Sequence, residues 1–513
     1  MKIVKRILIA ITILFYGCST EQPTESVKLN LLYDEIWDHQ MISFPTYATY
    51  VGYPGQNGRW SDPSLQFLEE YEVSRINFLR RLQDIDQSQL TDREVLGLKL
   101  ITQNLQIQTE GFKFPEEFIL IHQRSGVQQD ISDVLSIMPK NSLKDFEDRL
   151  ERLRKAPEYI GKTIDVLRIG LEKNITPPKI TLRDVPQQIK NTIPTEISNS
   201  PLLNSFNNFP VSMTEEDKDR IVKQAESIVE TEVYPAFEQL YDFLVEEYIP
   251  NSNESIALSD NPDGKEWYKH RARQFTTTQL QPKEIHDLGL NEVARIKAEM
   301  DDVITKSGFE GSFDEFTNFL RTDPQFYAKT EEELLSGYRD IAKKADPELP
   351  KLFGKLPRMP YGIIEIPSYA AKSQTTAYYR GGSQKDGRAG YFYANTYALN
   401  TRPKWEMEAL TLHEAMPGHH LQISLAKELP ETHPLIQNLS YTGFVEGWGL
   451  YAESLGTEMG FYKDPYSKFG QLTYEMWRAV RLVVDTGMHL SLIHISEPTR
   501  PERISYAVFC VKK

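Results

Sequence analysis

His413-Glu414-Ala415-Met416-Pro417-Gly418-His419-His420, followed by Glu446-Gly447-Trp448-Gly449-Leu450-Tyr451-Ala452-Glu453, gathers three imidazoles and three carboxylates within about forty residues. Imidazole and carboxylate are donors for Zn2+, and a glutamate beside a histidine ligand is placed to activate water. In the compact pattern H-E-x-x-H the two histidines sit one helical turn apart. Here the fourth position after His413 is Pro417, and the next histidines come two and three positions later. At about 100° per residue only His420 returns to the starting face, and a rise of about 1.5 Å per residue leaves it about 10 Å along the axis. That is too far to share an ion, so the helix has to distort. Pro417 removes a backbone donor and Gly418 tolerates unusual dihedrals, so a kink or bulge is expected to draw a later histidine beside His413. An amphipathic helix with incidental histidines is the alternative. It fits poorly, because the chain has only 10 histidines and three of them fall in this run.

A third ligand is expected from a carboxylate on a following helix. Glu446 opens a segment whose Leu450, Ala452 and Leu455 suit a buried face before a turn at Met459-Gly460. Glu453 lies two turns further along the same face, where it either orients a ligand histidine from behind or pairs with Arg478 or Arg481. The expected zinc ligands are therefore His413, one of His419 and His420, and Glu446. Glu414 would be the general base of peptide hydrolysis. His419 follows the kink directly, and His420 is left as ligand or oxyanion partner.

These residues resemble the bacterial domain of unknown function 885 family, marked by HEAxPGHHxQ at 413–422, EGWxLYAE at 446–453 and RAxRLVVDTGxH at 478–489. The resemblance extends upstream through 264–300, with Thr276-Thr277-Thr278 and Gly289-Leu290-Asn291-Glu292-Val293, and so spans most of the chain. It implies distant kinship with gluzincin peptidases, and dipeptidyl peptidase or carboxypeptidase activity. Locally, residues 443–449 resemble the glutamate-ligand segment of the angiotensin-converting-enzyme group, which favours Glu446 over Glu453. The expected fold is mainly α, a gluzincin-like helical metallopeptidase with a small β-hairpin or sheet beside the metal helix.

Two aromatic runs, 377–382 and 386–397, flank a glycine-rich loop and read as that hairpin. The resemblance implies an edge strand just before the metal helix that binds extended substrate, which makes Tyr391 and Tyr393 candidate contacts, with Arg388 for a substrate carboxylate. An ordinary packed hairpin is the competing reading. Further on, Trp477, Val480, Val483 and Val484 form an apolar helical stripe, while Asp485 and His489 stand four apart, spaced so that Asp485 orients His489 as an oxyanion donor or so that the two form a surface bridge.

At the amino end Lys2, Lys5 and Arg6 precede an apolar run, 7–16, and then Gly17-Cys18. This is an export signal over 1–17, with Cys18 as the lipidated residue in a pattern that resembles bacterial lipoproteins, although Phe15-Tyr16 depart from it and leave plain secretory cleavage open. Residues 18–28 form the tether, 29–350 a helical lobe and 351–489 the metal-site region. The string from 490 to 513 resembles a translated library adapter, and residues 351–489 are then an incomplete catalytic region. Without 1–17 and 491–513 the formal charge of −15 becomes −20, which argues against nucleic acid as a partner. The expected partners are a peptide substrate and, through the lipid, a membrane. A peptide-binding lipoprotein without catalysis and a metal-dependent hydrolase of non-peptide amides or esters are the rival functions. Helical periodicity covers 29–100, 143–172, 213–248, 284–300 and 330–344, whereas the prolines, asparagines and serines of 174–210 read as a long connection.

Overall fold

Hydroxyl and carboxyl side chains at helix starts, and apolar stripes behind them, build most of the molecule. Thr91 with Glu94, Ser142 with Asp145 and Ser312 with Glu315 form reciprocal caps that satisfy otherwise orphaned amide donors. The computed structural model describes residues 23–366, 371–372, 374–382, 389–429 and 432–490, so Cys18, Arg388 and the tail from 491 lie outside the described residues. The chain is mainly helical, with one three-stranded sheet among the described residues.

Glu25–Ser43, Leu65–Gln83 and Asp92–Gly111 share a core of Leu29, Leu32, Ile36, Phe78, Leu98, Ile101 and Leu105. A second core joins the helices from Val127 to Tyr248 around Phe146, Leu167, Phe237 and Leu244. The helical run that ends at Tyr248 widens into a π-type turn at Val229–Val233, just ahead of Pro235, where proline supplies no amide for the regular ladder. The stretch 174–210 is more ordered than its composition suggests. Prolines there start short helices, Val185–Thr192 and Pro201–Phe206, and Leu182, Val185, Ile189 and Leu202 are fully buried.

Two 26-residue helices, Pro282–Ser307 and Pro465–Leu490, lie side by side and bury Ile296, Met300, Phe469, Leu472 and Met476 with Trp405. Residues on both sides of position 350 therefore share one core. The buried stripe of the second helix runs through Phe469, Leu472, Met476 and Val480. Trp477, expected in that stripe, is 39 % exposed and lies under the Arg481 guanidinium.

The sheet has the order β1-β3-β2, with β1 Tyr361–Glu365, β2 Ala377–Arg380 and β3 Gly390–Ala394. β2 and β3 form the expected antiparallel hairpin, pairing Tyr379 with Phe392 and Tyr378 with Tyr393, while β1 runs parallel to β3. Because β3 is central, its backbone is engaged on both sides and cannot serve as the substrate-binding edge expected of Tyr391 and Tyr393. The edge strand packed against Met407–Glu414 is β2. Phe392 is fully buried and meets Tyr338 edge-on at 5.1 Å. Phe392→Ala is expected to cost about 3–5 kcal/mol of stability, read as a lower urea midpoint with an unchanged slope.

Candidate metal centre

The helix Met407–Glu414 stops inside the core and a second, His419–Lys427, starts five residues after Glu414. Between them Ala415 and Gly418 adopt non-helical dihedrals, and the Met416–Pro417 peptide is cis. The chain folds back tightly enough that a Cβ on Gly418 would lie 1.8 Å from the carbonyl oxygen of His413, so only glycine fits. The indole Nε1–H of Trp448 donates to the Pro417 carbonyl at 2.9 Å and ties this break to the helix Thr442–Ser454.

The break brings His419 against His413, their rings 4.6 Å apart and nearly perpendicular. Glu446 reaches both: its carboxylate oxygens lie 3.7 Å from His413 Nε2 and 3.9 Å from His419 Nε2. One ligand atom from each of the three residues falls within 4.8 Å of the others. Bonds of about 2.0–2.2 Å in a tetrahedron hold donor atoms roughly 3.3–3.6 Å apart, so the cluster needs little adjustment to close on one ion.

Behind the ligands, Glu453 is fully buried and its Oε1 lies 2.8 Å from His413 Nδ1 and 3.0 Å from Arg478 Nη2. With Nε2 of His413 turned to Glu446, Nδ1 carries the proton and donates to Glu453. Glu453 thus contacts both His413 and Arg478. Gly449 makes room for this: a Cβ there would stand 2.3 Å from His413 Cε1.

Burial sets the protonation states. His413 and His419 are pushed down to about 4, mainly by desolvation, and are neutral at pH 7, the form that can coordinate a metal. The Glu414 carboxyl is pushed up to about 8 by desolvation and then by Glu446, while the backbone N–H of Tyr379 in β2 opposes the shift. Desolvation also raises Glu453, against the pull of Arg478.

Other expected residues stand elsewhere. His420 is not a ligand: Tyr379 O–H donates to its Nδ1 at 2.8 Å and its Nε2–H donates to the Met359 carbonyl at 3.0 Å, so neither nitrogen remains for an ion or an oxyanion. His489 accepts the Leu258 amide at 3.1 Å and stacks on Tyr268, while Asp485 takes the Tyr268 hydroxyl instead of orienting His489. It lies about 16 Å along the helix from Arg478, at about 1.5 Å per residue, which separates it from Glu453 and the ligands. Tyr391 pairs with Arg380 across the sheet, and Tyr393 stacks on Tyr378 at 4.8 Å. Trp448, Gly449 and Tyr379 had no role in the sequence reading. The spacing of E-G-W-G was their signal, because a glycine three residues from a ligand marks a face that another backbone or ring approaches.

These features define a helical protein with a His-His-Glu cluster, its two histidines buried and its glutamate exposed, whose donor atoms could hold a metal ion. The chain belongs to the family described as "Bacterial protein of unknown function (DUF885)", whose profile matches residues 45–506. No curated protein matches it. Its fold is that of a protein from Colwellia psychrerythraea described as a "putative lipoprotein", with a TM-score of 0.87, 23 % identity and coverage of 96 % of this chain and 87 % of that one. It is also similar to a "putative lipoprotein of unknown function" from Shewanella oneidensis, with a TM-score of 0.59, 15 % identity and coverage of 91 % and 84 %.

Glu453→Gln keeps the shape but weakens the hold on the His413 Nδ1 proton, and should lower zinc affinity about 10–100-fold in a chelator competition titration. The pH response of the metal-free protein follows from Glu414. Its folded pKa is above the unfolded value, so its stabilising contribution is full below about 4.5 and is lost as pH rises through about 8. The buried histidines titrate in the opposite sense and finish near 6.5. Between pH 6.5 and 8 the chelator-treated protein should lose thermal stability, and Glu414→Gln should reduce that slope in calorimetry while Glu453, raised in the same sense, supplies the remainder.

Proposed function

We propose that the chain is a zinc-dependent peptidase of gluzincin-like architecture, with His413, His419 and Glu446 as ligands and Glu414 as general base. The observation that carries this is the convergence of the three donor groups beside a buried carboxyl on the same turn as His413. The donor set suits zinc: two imidazoles and one carboxylate leave a position open, the pattern of catalytic sites. Bound there, zinc would supply Lewis acidity toward a peptide carbonyl and toward water.

The chain's own residues then divide the work. Glu414 takes a proton from the attacking water and returns it to the leaving amine, and its buried carboxyl, with a proton affinity near neutrality, suits a group that must both accept and give. A dication close by shifts it toward the ionised base. Glu453 and Arg478 fix the His413 ring, so that the ligand nitrogen points where Glu446 can meet it. A binding module would need no carboxyl base beside its metal, which favours hydrolysis over capture alone.

The location reading is a lipoprotein of the cell envelope anchored through acylated Cys18. It draws on the export-type amino end and on the descriptions of the two similar structures. No helix among the described residues is long and apolar enough to cross a membrane.

Zinc content and cleavage separate the roles. His413→Ala should lose zinc by mass spectrometry. Glu414→Gln should keep about one zinc per chain while cleavage of a quenched-fluorescence peptide library falls by roughly 10²–10⁴-fold. Wild-type protein that holds zinc and hydrolyses small esters or amides but no peptide would overturn the peptidase reading.

A further inference from the structure

On the face of the sheet opposite Tyr379, a cleft of about 910 Å³ separates β2 and β3 from the amino-terminal helices. That is at the upper end of the roughly 300–1,000 Å³ typical of ligand sites. One wall carries Tyr378 stacked on Tyr393, with centroids 4.8 Å apart and planes 17° apart. The other carries Tyr47 and Tyr50, also near-parallel, with Tyr50 72 % exposed. Arg380 stands at the end of the tyrosine wall, exposed and in no ion pair among the described residues.

β2 connects this cleft to the metal centre. Its Tyr379 amide reaches the Glu414 carboxyl, and so points away from β3. Side chains alternate along a strand, so Tyr378 and Arg380 face the cleft on either side of that contact, each about 3.3 Å along the chain from it. A peptide lying along β2 would pass Glu414 with its backbone and drop alternate side chains onto the tyrosines. Two flat tyrosine walls and a guanidinium in no ion pair among the described residues suit a flat side chain next to a carboxylate.

We propose that this cleft is the specificity site for an extended peptide. Tyr378 and Tyr393, facing Tyr47 and Tyr50, sandwich a flat or aromatic side chain, and Arg380 binds a carboxylate of the peptide. The proposal rests on the peptidase reading for its reaction but not for its binding. It explains what the hairpin is for when its central strand is closed to substrate: the backbone edge belongs to β2, and Tyr393 contributes its ring.

The test uses the full chain carrying Glu414→Gln, so that ligand persists, and two probes: a fluorescent alanine-phenylalanine tetrapeptide with a free carboxyl end, and its carboxyl-terminal amide. The acid should bind about tenfold more tightly than the amide, and Arg380→Met should erase that difference. Tyr393→Leu should weaken both roughly three- to tenfold. A third probe, the amide with an added glutamate, separates a side-chain carboxylate from a terminal one, and recovery of Arg380-dependent binding with it assigns the carboxylate to the side chain. Equal binding of all three probes, discrimination that survives Arg380→Met, or no binding at millimolar peptide overturns the proposal. The expected binding pattern with no cleavage by the wild type would retire the peptidase reading and keep the cleft. Cleavage whose kcat/KM ignores both Arg380→Met and amidation would retire the cleft and keep the peptidase.

Discussion

A helix that must end within the core at Glu414 and begin again at His419 is the constraint on which the site depends. Backbone groups at a buried helix end need partners or they cost free energy. Here the Ala415 amide bonds Thr411, the His420 amide bonds Ala415, and the Pro417 carbonyl takes the Trp448 indole. With those groups satisfied, the break can hold two imidazoles face to edge. The glycines at 418 and 449 are there for the same reason: each lets a chain approach His413 more closely than any side chain would permit.

The second determinant is a buried carboxyl group. Glu453 is isolated from water and held between an imidazole and a guanidinium. Burying such a group adds little net stability, since desolvation offsets most of the attraction. What it contributes is direction: the carboxylate fixes which nitrogen of His413 bears the proton and leaves the other for Glu446. The orientation of the His413 ring is thus set from the side away from Glu446, by the helix Thr442–Ser454, which carries both Glu446 and Glu453.

Much of this was legible in the residues, because its signals are local. Pro417 and Gly418 announce a broken helix, the twin tyrosine runs announce the hairpin, and helical spacing marks the long helices. What was not legible depends on distant partners. Whether His419 or His420 faces the ligands is decided by Tyr379 and Met359, which claim both nitrogens of His420. The order of strands is decided by β1, a short segment that pairs across the crossover and moves β3 to the middle. Asp485 and His489 have helical spacing that invites a pair, yet Tyr268 stands beside both and takes the carboxylate. The stretch 174–210 misleads for another reason: proline is read as a breaker, although at the first helical position it is a starter.

The segment between the two ligand helices is fastened to the far end of the chain. His433 donates to Asp34 at 3.0 Å, the Tyr441 hydroxyl donates to the Leu100 carbonyl at 2.8 Å, and Leu435 sits in the core with Leu29 and Ile101. Contacts closing loops of several hundred residues carry a closure-entropy cost that the packing they make has to offset. The segment leading to Glu446 is therefore held by anchors whose sequence separations are 399 and 341 residues. The place of Glu446 beside His413 and His419 thus depends on helices at the opposite end of the chain.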